Sequence, residues 1–243
     1  MMSFVQMTKS EVVKKQYFYK LKAYKGSYSS LMIIQTLGLA FSALATSSMS
    51  GSFSGNLSYD FVFYSTNMVF AFTLLWAFIT GVTITSKNYR YDDFSFVSNR
   101  KTSNLSNTLF LLSISVLAGI TSVLMGVTFR LLAPLVLSGE ILATSYTITD
   151  LAVGMTATVF YCVFLSALGY LVGTMVQLNK VFQNVLPLIL IGLLIGYPEV
   201  LGSIVQFYLM ETSLSIFVIK ASVPALICFL LAGVMSDRME VRK

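Results

Sequence analysis

Long apolar runs separated by short polar segments fill most of the 243 residues. A helix needs about 20 apolar residues to cross roughly 30 Å of hydrocarbon. Six runs meet that length, at approximately Ser30–Ser48, Phe61–Thr85, Leu109–Phe129, Leu151–Val176, Val185–Leu209 and Ile216–Met235. Pro198-Glu199 interrupts the fifth, which predicts a span followed by a short helix, about 197–215, that dips back into the membrane. No segment alternates in the manner of a membrane barrel, so strands are not expected. The pattern predicts an all-α integral membrane protein. Residues 1–29 precede the first span, 30–236 form a six-helix transmembrane domain and 237–243 are a tail.

The polar segments set the orientation. Fourteen of the sixteen basic residues fall on one side: Lys9, Lys14, Lys15, Lys20, Lys22 and Lys25 before the first span, Lys87, Arg90, Arg100 and Lys101 between the second and third, Lys180 between the fourth and fifth, and Arg238, Arg242 and Lys243 after the sixth. Only Arg130 and Lys220 lie near the other side, which holds Asp60, Glu140, Asp150, Glu199 and Glu211. The positive-inside rule then predicts a multi-pass plasma-membrane protein with both termini cytoplasmic. The net charge of +6 is spent on topology, so nucleic acid is not an expected partner.

Composition agrees with lipid as the solvent. The chain is 56% hydrophobic and 11% charged, against about 25% charged for a soluble domain, and its mean hydropathy is +0.80. The first apolar run begins after some thirty residues carrying six lysines, too long a preamble for a signal peptide. Ala43-Leu44-Ala45 imitates a cleavage site, but an uncleaved first span fits better.

Residues 4–28 are basic and aromatic. At helical spacing Val13, Tyr17, Leu21 and Tyr24 share one face, while Lys14, Lys15, Lys22 and Lys25 fall mostly elsewhere. That pattern suits a helix lying in the membrane interface, with Gly26-Ser27 permitting a bend into the first span. The competing reading is a disordered basic tail.

Within the spans, Gly169/Gly173 and Gly192/Gly196 are GxxxG pairs, and Ser115/Gly119 and Ser122/Gly126 repeat the spacing. Small residues one turn apart let helix backbones approach closely, within one subunit or between two. Gln35, Asn67, Arg130 and Lys220 are candidates for a translocation path. For the two basic residues the plainer role is to snorkel toward the interface. No acidic residue sits mid-span, which argues against an ion-coupled carrier.

Catalytic chemistry is missing. The sequence has no histidine, no paired carboxylates, no GxSxG and no GxxxxGK[ST]. Cys162 and Cys228 each stand alone inside an apolar run, as packing residues would. Neither a metal nor any other cofactor is expected, and any use of ATP needs a separate polypeptide.

One polar island remains, RYDDFSFVSNRKTSN, from Arg90 to Asn104. Tyr91, Phe94 and Val97 recur every three residues, so a short helix places them on one face. Asp92 and Asp93 then occupy its first turn, and Arg100 and Lys101 its end, signs that complement the helix macrodipole. With Phe96 alongside, this is an apolar anchor in a polar rim, suited to docking a partner. The alternative is that the aromatics rest on the bilayer interface.

Taken with the basic N-terminal helix and six spans, the stretches SNRKTSNLSNTLFLLSISVLAGITSVLMG and ALGYLVGTMVQLNKVFQNVLPLILIGLL resemble the permease subunits of ABC-2-type ABC transporters, especially the small Gram-positive ones that handle peptides or lantibiotics. The resemblance covers the whole chain in layout. It implies pairing with a second permease copy or a paralogue and docking of cytoplasmic ABC ATPase subunits on a coupling loop at 86–105. It also implies re-entrant outer helices within Gly196–Ser215 and export of an amphipathic peptide or other hydrophobic molecule. The readings it competes with are a stand-alone channel or secondary carrier, and a non-transporting sensor or immunity protein.

Overall fold

The computed structural model describes residues 8–44, 47–53, 57–63, 66–89, 99–136, 140–141, 147–211 and 213–237. In chain order the elements are α1 (Lys9–Ala23), α2 (Lys25–Leu44), β1 (Ser47–Phe53), β2 (Leu57–Phe63), α3 (Asn67–Ile84), α4 (Arg100–Val136), β3 (Glu140–Ile141), α5 (Ile148–Leu178), α6 (Val181–Gly196), α7 (Pro198–Leu209) and α8 (Leu214–Asp237). Five helices are long and apolar enough to cross a membrane: α2, α3, α4, α5 and α8. A sixth crossing is available if α6 and α7 act together as one broken span, bent by 92°.

α5 is the central pillar. α3 packs along it most extensively, followed by α8 and α4, while α2 leans on α3 and α1 on α4. The contact is close because the backbones meet at small residues. A Cβ added to Gly169 would meet the Phe78 carbonyl oxygen, one on Gly173 the Thr85 hydroxyl and one on Gly81 the Ser166 carbonyl oxygen. Likewise Gly38 brings α2 onto the Val69 backbone, and Gly119 brings α4 onto Val159. In lipid, where apolar burial alone does not drive helix pairing, such close approach supplies the packing energy.

The outside of the bundle is apolar. On α8, Ile216, Ile219, Val223, Leu226, Leu230 and Val234 recur every three or four residues and are 49–62% exposed. The buried side mixes apolar residues such as Leu31, Trp76, Phe110, Leu111 and Ile114 with the polar Gln35, Ser42, Thr73, Ser115, Ser166 and Thr174. Long helices that stay apolar on their exposed faces mark a membrane-spanning helical protein.

Several boundaries differ from those read in the sequence. The bend into the first span lies at Tyr24, the residue joining α1 to α2, and not at Gly26-Ser27. The expected first and second spans are trimmed where they meet. Ser47–Phe53 and Leu57–Phe63 form an antiparallel hairpin pairing Ser47 with Phe63 and Phe53 with Leu57, and β3 adds in parallel beside Phe61 and Val62. This connection thus carries a small sheet that the hydropathy pattern did not predict, while the long apolar helices follow the all-α expectation.

α4 is longer than the hydrocarbon requires. Its 37 residues span about 55 Å and the 31 of α5 about 46 Å, against roughly 30 Å of hydrocarbon. At one end α4 starts beside the end of α8, where Arg100 Nη1 donates to the Ser236 carbonyl at 3.2 Å. At the other, Gly126 already lies against Thr66, just ahead of α3, so the last ten residues of α4 run on past the start of α3. The Lys20 part of α1 and the end of α8 lie toward the same end of the bundle, and the connection from α2 to α3 lies toward the opposite one.

Candidate functional site

Two polar regions stand out, one at each end of the bundle. The first begins with α1. A capping box starts this helix, with the Thr8 amide donating to Glu11 Oε2 at 3.0 Å. Its inward face is Val13, Gln16, Lys20 and Tyr24, all buried. Its outward face carries Lys14, Lys15, Phe18, Tyr19 and Lys22, the mixture of amines and aromatic rings that suits headgroups.

Lys20 is therefore inside, 1% exposed. Its ammonium donates to Ser106 Oγ at 2.7 Å and to Asn107 Oδ1, both on α4. From Asn107 the network continues across to α5. Asn107 Nδ2 lies 3.4 Å from the Tyr170 hydroxyl, which donates to Asn104 Oδ1 at 2.9 Å. Tyr17 adds a hydroxyl contact to Ser113 at 2.7 Å, and the Tyr24 ring sits edge-on to both Tyr89 and Phe110. A buried ammonium is tolerable only when such acceptors replace its water. Gln16, one turn before Lys20, is fully buried, and neither of its amide atoms has a partner among the described residues. Sequence reasoning missed both residues. The signal was present, because Lys20 falls on the same stripe as Val13, Tyr17 and Tyr24 (offsets of three or four), but it was grouped by charge and not by position.

The second region is a recess of about 200 Å³ between the start of α3, the later part of α4 and the start of α5. Asn67, Arg130 and Asp150 line it, with Thr66, Ser122 and Thr158. Asp150 Oδ2 also accepts the Thr147 amide at 3.1 Å in the capping box that opens α5. Of the four path candidates, the structure brings Asn67 and Arg130 together here. It takes the other two elsewhere. Gln35 is wholly buried among α2, α3 and α4, with Nε2 donating to Thr121 Oγ1 at 3.0 Å and to the Ala118 carbonyl at 3.3 Å. Lys220 is ion-paired with Glu211 and sits 4.0 Å from the centre of the Phe207 ring. A neighbouring tie joins α7 to α5, where Tyr161 donates to the Tyr208 carbonyl at 2.6 Å and Phe164 stacks on Tyr208. Lys220 thus fastens the α7–α8 connection.

Of the polar island, Tyr91, Asp92, Asp93, Phe94, Phe96 and Val97 lie outside the described residues. Arg100 and Lys101 are described, and they do not end a short helix as expected. They open α4. Two cations at a helix N-terminus oppose its macrodipole. Arg100 offsets this by reaching the carbonyl end of α8, where a cation is favoured. Of the GxxxG pairs, Gly169 and Gly173 face α3, while a Cβ added to Gly192 or Gly196 would meet no other described part of the chain within 4 Å. Cys162 and Cys228 are buried free thiols, and among the described residues no group of three or more Cys, Asp or Glu could hold a metal. No protein-family model matches the chain, and no curated protein or solved structure matches it significantly.

Proposed function

We propose that the chain is the transmembrane permease subunit of an ATP-driven exporter of the ABC-2 type. It would move an amphipathic peptide or similarly hydrophobic molecule out of the cell while a separate cytoplasmic subunit hydrolyses ATP. One observation carries the reading. α1 is fixed through Lys20 to the first turns of α4, immediately after the polar island, and α8 ends beside Arg100. The N-terminal helix, the start of α4 and the end of α8 therefore gather at one end of the bundle, where a push on the start of α4 would reach α1, α5 and α8 through short polar contacts. In this reading the segment 86–105, whose last part opens α4, docks the ATPase, a second permease copy or paralogue completes the path, and that end of the molecule is cytoplasmic.

The test is co-expression with the stand-alone ATPase encoded nearest to it. Co-purification, with ATP hydrolysis only in the mixture, supports the proposal. Nucleotide hydrolysis by this polypeptide alone, or the absence of any ATPase partner, overturns it.

A second reading has one observation in its favour. The recess holding Asn67, Arg130 and Asp150 is small and sets an amide, a guanidinium and a carboxylate into a largely apolar wall, as a ligand-sensing site in a non-transporting membrane protein would. Unchanged peptide accumulation on deletion of the gene, together with no ATPase partner, would favour it.

A further inference from the structure

α4 and α8 both pack on α5 but meet each other little, so a groove of about 600 Å³ opens between them on the outside of the bundle. Its lining is divided by polarity. Lys101, Asn104 and Thr108 lie at the end where Arg100 joins α4 to Ser236, and beyond them the walls are Leu112, Phe160 and Phe229 with other apolar side chains and one hydroxyl, that of Ser222. Lys101 is exposed.

We infer that this groove holds one phospholipid with an anionic headgroup, taken from the leaflet at the Lys101 end. Its length fits one acyl chain of one leaflet. From Lys101 to Leu112 α4 rises about 16 Å, and from Ser222 to Val234 α8 rises about 18 Å, close to half of the roughly 30 Å hydrocarbon thickness. Beyond Thr108 its walls offer water little, because the one hydroxyl there, that of Ser222, already donates to the Val218 carbonyl. An empty groove forfeits dispersion contacts along its length, and in a bilayer the filler at hand is an acyl chain. The ammonium of Lys101 sits where the chain would meet its headgroup, and a cation near a membrane surface attracts anionic lipid. A second copy fits less well. Two chains of the same orientation meeting through this groove would bring their Lys101 side chains to the same depth. The inference rests on the groove and on membrane insertion, and stands apart from the exporter reading.

The test is native mass spectrometry of the full chain released from bilayer discs of equal phosphatidylglycerol and phosphatidylcholine. One retained phospholipid per chain is expected, with phosphatidylglycerol favoured about fivefold over phosphatidylcholine. Lys101→Gln, an exposed substitution that leaves the fold intact, should bring that preference close to one while keeping the adduct. Gly233→Phe, placed where a side chain meets open space, should abolish the adduct at unchanged helicity. The inference is overturned by a chain that carries no lipid, or by a headgroup preference that Lys101→Gln leaves untouched. A dimer that Gly233→Phe converts to monomer assigns the groove to a second copy and overturns it equally.

Discussion

The Lys20 ammonium lies 2.7 Å from the Ser106 hydroxyl, joining an amphipathic N-terminal helix to the second turn of the longest helix in the bundle. The contact makes α1 part of the folded core and not a loose interfacial arm. A helix that merely floated in the headgroups would send all its lysines outward.

Replacing Lys20 should therefore cost far more than replacing its neighbour. Lys20→Met keeps the length of the side chain but strands the Ser106 and Asn107 acceptors. The expected loss is about 1–3 kcal/mol in a denaturation series in detergent, with earlier proteolysis within 9–23. Lys22→Met, on the exposed face, should change stability by less than about 0.5 kcal/mol. Equal effects from the two would mean that α1 is not docked.

The glycines separate in the same way. Gly169→Ala forces a methyl group into the Phe78 carbonyl, and overpacking of this kind costs about 1–3 kcal/mol. Gly192→Ala meets nothing within 4 Å, so helix propensity should leave it neutral or stabilising by up to about 1 kcal/mol. Thermal unfolding of the two purified variants decides.

The Lys220–Glu211 pair should behave as a clamp. Lys220→Met and Glu211→Gln, singly and together, form a double-mutant cycle with an expected coupling of about 0.5–3 kcal/mol. Both single variants should also raise exchange of the α7 amides with deuterium while leaving α3 and α4 unaffected. A coupling of zero would return Lys220 to the list of path residues.

Orientation is testable with single cysteines, since the native Cys162 and Cys228 are buried. In whole cells, an impermeant thiol reagent should label cysteine at Thr147 or Glu211 and spare cysteine at Asn99 or Asp237. The warrant is the basic asymmetry of fourteen residues against two. Labelling of Asn99 from outside would invert the topology and remove the site proposed for the ATPase.

What the sequence determined by itself was what hydrocarbon dictates. A bilayer demands about 20 apolar residues per crossing, so the spans at 109–129, 151–176 and 216–235 fall inside α4, α5 and α8, and the Pro198 break appears as the 92° bend between α6 and α7. Tertiary structure decided everything that hydropathy does not measure. α4 extends to Arg100 and Val136 because helical hydrogen bonding is not confined to apolar stretches, and Pro134 falls only in its last turn. Ser47–Phe53 and Leu57–Phe63 pair because each strand's partner is next in the chain, although Ser-Gly-Asn between the two was a readable turn signal in the sequence. Gly169 and Gly173 were set apart from Gly192 and Gly196 only by the presence of α3, since identical spacing carries no information about which neighbour arrives. Lys20 was hidden for the same reason. A lysine reads as solvent-facing until another helix supplies acceptors in place of water, and Ser106 and Asn107 lie more than eighty residues further along the chain.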